Sequence, residues 1–116
     1  QSSDVVRAAL DLGINFIDTA AAYGTEGIGG EALKGRREQA GISTKIQVIK
    51  PGTDVLGNDF KDPGDLKADL EKSLQALQTD YVDVYHLHGI MPDQYAWCAE
   101  NMLPVRSQVK DINRCT

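Results

Sequence analysis

Four residues of this chain, Asp18, Tyr23, Lys45 and His88, carry side chains that together could move one proton. Tyrosine and lysine have unperturbed pKa values of about 10 and about 10.4, so a neutral Tyr beside a Lys cation has its phenolate form favoured. Tyr23 is then a usable proton donor to a developing alkoxide. Asp18 would hold Lys45 charged and oriented, and His88 could donate a hydrogen bond to a carbonyl oxygen and fix its position. The set holds no activated Ser or Cys nucleophile. A proton donor aimed at a carbonyl, with no nucleophile beside it, calls for an external hydride source. Singly, each residue has a plainer reading: Asp18 as a helix cap, Lys45 as a solvated strand end, Tyr23 packed on a loop, His88 as a satisfied core histidine.

The elements that must position these groups are legible in the pattern. Ser2 and Ser3 are good N-caps, Asp4 suits the positive end of a helix dipole, and Val5, Val6, Ala9 and Leu12 recur at helical spacing up to a C′ glycine, Gly13. Ile14–Asp18 reads as a first strand that ends in its acid and feeds the small-residue loop carrying Tyr23 and Gly24. A short helix is expected over Ile28–Leu33, closed by Gly35 and the basic pair Arg36 and Arg37. Gly41–Val48 is a second strand with Lys45 near its end. Lys50–Pro63, rich in Gly, Pro and Asp, is a loop long enough to carry function.

Asp62 and Pro63 open the strongest helix, with Leu66, Leu70, Leu74 and Leu77 at spacings of three and four. Tyr81–His88 is a third strand, ended by Gly89. Pro92 and Asp93 begin a last helix expected to run to about Lys110, kinked or divided at Pro104. After Asp111 no pattern stands out. Strands separated by helices pair in parallel, because parallel neighbours need a long crossover, and the fold class is α/β. Asp18, Lys45 and His88 then all fall at or near carboxyl ends of strands, where parallel α/β folds build their active sites.

Composition bounds the rest. A net charge of −5 argues against nucleic acid or an anionic membrane as the main partner, and no apolar run reaches the roughly 20 residues a membrane helix needs. Cys98 and Cys115 form no CxxC site and no disulfide framework, which makes a reducing cytoplasm the expected compartment. His86 and His88 share one strand face as a metal pair would, but lack a clear third ligand, so no metal is expected. Gly24, Gly27, Gly29 and Gly30 read as a flexible loop, lacking the pattern of a P-loop or dinucleotide fingerprint. Arg36 and Arg37 read as solvated helix-end charges. Tyr95 and Trp97 are expected to pack the last helix on the sheet.

Taken together, NFIDTAAAYG, EALKGRR, ISTK and TDYVDVYHLHG resemble the sequence blocks of the aldo-keto reductases. The family's Asp-x-Ala-x-x-Tyr-Gly motif matches Asp18 to Gly24, its Ser/Thr-Lys strand end matches Lys45, and its Asp-x-Tyr-x-x-His strand matches Asp83 to His88. The resemblance implies a catalytic tetrad of Asp18, Tyr23, Lys45 and His88, with Asp18 also at the cofactor. It further implies a (β/α)8 barrel that reduces aldehydes or ketones to alcohols, or the reverse, with NADPH or NADH as the hydride source and a small carbonyl or alcohol as the substrate.

A whole barrel needs about 250 residues. The 116 residues here are therefore expected to form one incomplete barrel domain over 1–116, three parallel strands alternating with helices, corresponding to about the second to fourth strands of the family. By the family pattern most of the cofactor grip lies outside such a segment. Impaired NAD(P)H binding and self-association through exposed strand edges are the expected consequences. A non-catalytic or regulatory subunit and an inactive truncated product are the alternative readings.

Overall fold

A computed structural model describes residues 2–101 and, as backbone, the strand 109–113. The order is α1 (Ser2–Asp11), β1 (Phe16–Asp18), α2 (Glu26–Ala32), β2 (Gly41–Ile46), α3 (Pro63–Leu77), β3 (Val82–Leu87), α4 (Tyr95–Asn101) and β4 (Val109–Asn113). The strands form one sheet in the order β1-β2-β3-β4, every neighbour parallel. The expected α/β arrangement of parallel strands alternating with helices is thus found, with one strand more than the sequence pattern indicated.

That extra strand is the main correction. The last helix does not run to about Lys110 but ends at Asn101, whose side-chain amide donates to the Trp97 carbonyl at 2.8 Å. Val109–Asn113 instead pairs with β3, Val82 opposite Val109 and His86 opposite Asn113. Sheet pairing at an open strand edge outweighs a weak local helical preference. Pro104 lies outside the described residues.

One face of the sheet is packed and carries the core. Ile42 and Ile46 of β2, Tyr85 and Leu87 of β3, and Leu66, Leu70, Leu74 and Leu77 of α3 are all buried. Strand alternation sends the intervening residues to the other, inner face. The register sets Asp18 opposite Ser43, and Lys45 opposite His86.

The glycines expected to form a flexible loop lie instead on α2, all but Gly24. Gly30 is where α2 meets the end of α3: a Cβ there would stand 2.5 Å from the Ala76 carbonyl oxygen and 2.8 Å from the Leu77 carbonyl carbon. Only a hydrogen fits between these backbones. Gly30→Val is expected to destabilise the chain by about 3 kcal/mol, because neither helix backbone can yield cheaply. Gly27→Ala, with nothing within 4 Å of its Cβ, is expected to be neutral or slightly stabilising, by up to about 1 kcal/mol. Denaturant melts of the two variants side by side check this; equal midpoints would contradict the close-contact argument.

Arg37 is also not a solvated charge. Its guanidinium donates to Thr79 Oγ1, the Ala40 and Tyr81 carbonyls and Asp83 Oδ2, at 2.8 to 3.0 Å, and lies 4.0 Å from the centre of the Tyr81 ring. Asp83 Oδ2 in turn accepts from the Ile42 amide at 2.8 Å. This network ties the amino ends of β2 and β3 together, at the end of the sheet away from the candidate site.

The loop between β2 and α3 is ordered by its own pairing, Lys50 N–H to the Asp59 carbonyl and Lys61 N–H to the Val48 carbonyl, both 2.8 Å. The buried Gln94 amide donates to the Val55 and Gly57 carbonyls and accepts from the Met91 N–H, stapling this loop to the turn after β3. Trp97 stacks on Phe60 of the same loop with ring centres 4.1 Å apart. The ring also packs against the buried core, so it joins α4 both to the packed face of the sheet, as expected, and to the loop.

Candidate active site

Asp18 is the last residue of β1, and its backbone ladder continues for one further step, Thr19 N–H to the Ser43 carbonyl at 2.8 Å. The chain then makes one tight turn, Ala21–Tyr23, closed by Gly24 at a φ of 69°, a left-handed conformation that glycine adopts at little cost. The hydroxyls of Thr19 and Thr25 meet at 2.9 Å and pin the two ends of this loop together. Thr44 Oγ1 donates to Glu26 Oε2 at 2.6 Å, anchoring the start of α2 on β2. Tyr23 is thereby presented at the carboxyl edge of the sheet, 53 % exposed.

Lys45 reaches Asp18 from the neighbouring strand. Its Nζ donates to Asp18 Oδ1 and Oδ2 at 3.0 and 2.9 Å and to the Thr19 carbonyl at 2.9 Å. Three acceptors occupy the three donors of an ammonium, which fixes its position. The same Nζ lies 5.1 Å from the centre of the Tyr23 ring, within cation–π range. His88 follows β3 by one residue, held by its N–H to the Ile46 carbonyl at 2.8 Å. Its ring meets that of Tyr23 edge to face, 5.8 Å between centres and 84° between planes. All four sequence-predicted site residues therefore converge at one end of the sheet.

Burial would raise the Asp18 pKa, but the hydrogen bonds from Lys45 and Ser43, with the Lys45 charge, more than offset it and leave the carboxyl below its ordinary value. It is a carboxylate throughout the neutral range. Ser43 is the group that the sequence reading missed: it is fully buried and donates to Asp18 Oδ1 at 2.9 Å. Its signal was the period of two, since Ser43 and Lys45 must share a face of one strand. Tyr85, the tyrosine of the Asp-x-Tyr-x-x-His pattern, is buried on the opposite face and takes no part.

His86 and His88 do share the inner face, but among the described residues no group of three metal-binding side chains forms. Among the described residues, neither of their buried Nδ1 atoms has a hydrogen-bond partner. No described helix is long and apolar enough to cross a membrane.

Comparison with known proteins decides the family. The Aldo/keto reductase family model matches residues 1–114. The chain belongs to the aldo-keto reductase family. Among aldo-keto reductase relatives, YhdN of Bacillus subtilis is 39 % identical over 92 residues, covering 75 % of this chain and 27 % of its own. Methylglyoxal reductase DkgA of Escherichia coli is 34 % identical over 117 residues, covering 95 % of this chain and 38 % of its own. The chain thus spans well under half the length of these relatives.

Solved aldo-keto reductases share the fold. An aldo-keto reductase enzyme from a deep-sea metagenome library, MGS-M4, superposes with a TM-score of 0.71 at 28 % identity, over 97 % of this chain and 41 % of that one. A Klebsiella pneumoniae aldo-keto reductase solved in complex with NADPH superposes with a TM-score of 0.68 at 28 % identity, over 97 % and 38 %. The sheet of this aldo-keto reductase chain matches a part of the (β/α)8 barrel of its structural neighbours.

Proposed function

We propose that Asp18, Tyr23, Lys45 and His88 form the proton-delivering half of an NAD(P)H-dependent carbonyl reductase site. The observation that carries this reading is the chelated Lys45 ammonium, seated on both oxygens of Asp18 and facing the Tyr23 ring. Tyr23 donates its hydroxyl proton to the carbonyl oxygen as that oxygen becomes an alkoxide. The Lys45 charge stabilises the tyrosinate left behind. Asp18 keeps that charge in place, and Ser43 keeps Asp18 in place. His88 donates a hydrogen bond that orients the carbonyl toward Tyr23.

The donor set fits a nicotinamide cofactor: it can protonate an oxygen, but it contains no group able to attack a carbonyl carbon. When bound, NADPH or NADH would supply the hydride. Asp18, at the edge of the site, is the residue of this chain we assign to contact it. The substrate is a small aldehyde or ketone, in keeping with a relative named methylglyoxal reductase.

A second reading is that the protein folds as an aldo-keto reductase and serves as a regulatory subunit without useful turnover. NADPH oxidation by the purified chain over a panel of aldehydes separates the two. Substrate-dependent oxidation is the expected result; none at any aldehyde concentration would favour the second reading.

A further inference from the structure

Glu26 is a buried carboxylate without a cation. It is 7 % exposed, and its Oε2 accepts from Thr44 Oγ1 at 2.6 Å. Among the described residues no Lys, Arg or His pairs with it: Lys45 is committed to Asp18, and Lys61 to Asp69. A buried charge held by one neutral hydrogen bond is costly, and the amino end of the short helix α2 offers it partial charge only.

The carboxylate lines a cavity of about 440 Å³ on the packed side of the sheet, between α3 and the turn that carries Tyr23. Tyr85 and Ser73, each 1 % exposed, line the same cavity, and among the described residues neither hydroxyl has a hydrogen-bond partner. Native proteins rarely leave buried hydroxyls unsatisfied. Asp69 is the second carboxylate of the wall; Lys61 occupies its Oδ2 at 2.9 Å and leaves Oδ1. Burial first, then the charges of Asp69 and Glu26, push the Tyr85 pKa far above the ordinary tyrosine value, so its hydroxyl keeps its proton. Lys72, at the rim, is exposed, and water screens its charge.

We propose that this cavity binds a primary alkylammonium ion, its three N–H donors satisfied from among Glu26 Oε1, Asp69 Oδ1 and the hydroxyls of Tyr85 and Ser73. The alkyl chain has Ile46 and Ala76 of the same wall to lie against. The acceptor set selects this class of ligand. An alcohol would meet the hydroxyls but leave the Glu26 charge uncompensated, and an anion would be repelled by it. A multivalent metal ion lacks its ligands, since no three metal-binding side chains gather among the described residues. The site lies across the sheet from the Lys45–Asp18 pair, and its occupancy can be measured without turnover.

The test is a titration of the ¹⁵N-labelled chain with butylammonium chloride, followed by amide NMR shifts, with 1-butanol and potassium chloride as matched probes. Saturable shifts are expected at the amides of Ala22, Gln47 and Ala76, which line the cavity. Affinity for butylammonium is expected to exceed that for 1-butanol by about tenfold or more. Glu26→Gln, which keeps an acceptor for Thr44, is expected to abolish that preference. Tyr85→Phe leaves the Glu26–Thr44 bond in place and is expected to weaken butylammonium binding by about threefold or more. Equal affinity for the alcohol and the ammonium, or a preference retained in Glu26→Gln, overturns the proposal. So do saturable shifts confined to residues away from the cavity, and saturation of the same amides by potassium chloride alone. Unaltered butylammonium affinity in Tyr85→Phe overturns it as well, which keeps the test decisive even where Glu26→Gln fails to fold.

Discussion

Tyr23→Phe is expected to lower kcat for carbonyl reduction by about 10² to 10⁴, the range that a positioned general acid contributes. The substitution removes one oxygen and keeps the ring. Both ring contacts, Lys45 Nζ at 5.1 Å and His88 at 5.8 Å, depend on that ring and survive. Tyr23 is half-exposed, so the fold depends little on its hydroxyl. Stability and cofactor affinity should therefore change little, with the loss confined to the chemical step. A loss carried by KM, with kcat retained, would place Tyr23 in binding and contradict the assignment.

Lys45→Met is expected to cost about 10² to 10³ in kcat, as the loss of one preorganised charge at a developing anion does. Methionine keeps most of the stem but leaves Asp18 and the Thr19 carbonyl without their donor. Lys45→Arg should not rescue it. The three acceptors are arranged around a tetrahedral ammonium, and a planar guanidinium cannot meet all of them.

The same substitution weakens a pH effect. In the unsubstituted chain the Asp18 pKa is lowered from 3.8, so its contribution to stability is present above that value and is lost as pH falls through the lower folded value. Without the Lys45 bond and charge, the Ser43 bond is left to oppose burial, and the carboxyl rises toward its ordinary value. Asp18 then contributes less to stability at neutral pH, and less is lost on acidification. Denaturation midpoints measured across the acid range check this weaker pH dependence; parallel pH curves for Lys45→Met and the unsubstituted chain would contradict it.

Much of this was legible in the chain because it rests on local rules. Asp62–Pro63 and the leucines from Leu66 to Leu77 define α3 by cap and period alone, and three strands ending near Asp18, Lys45 and His88 follow from apolar runs stopped by polar residues. What escaped depends on partners distant in sequence. Val109–Asn113 has no strong strand pattern and becomes a strand because β3 offers an edge. Gly30 resembles a loop glycine until α3 is laid against it. Arg37 looks solvated until residues 42 to 46 positions away supply its acceptors. Within the site, Ser43 was recoverable from the two-residue period, whereas the unpartnered nitrogen of His86 requires the packed sheet.

Stereospecifically deuterated NADPH, incubated with an aldehyde and the purified chain, tests the central claim most directly. The account predicts deuterium at the carbinol carbon of the product alcohol and a solvent-derived proton on its oxygen, with label transfer slowed by about 10² or more in Tyr23→Phe. Product without label, or transfer at the same rate in Tyr23→Phe, would contradict it.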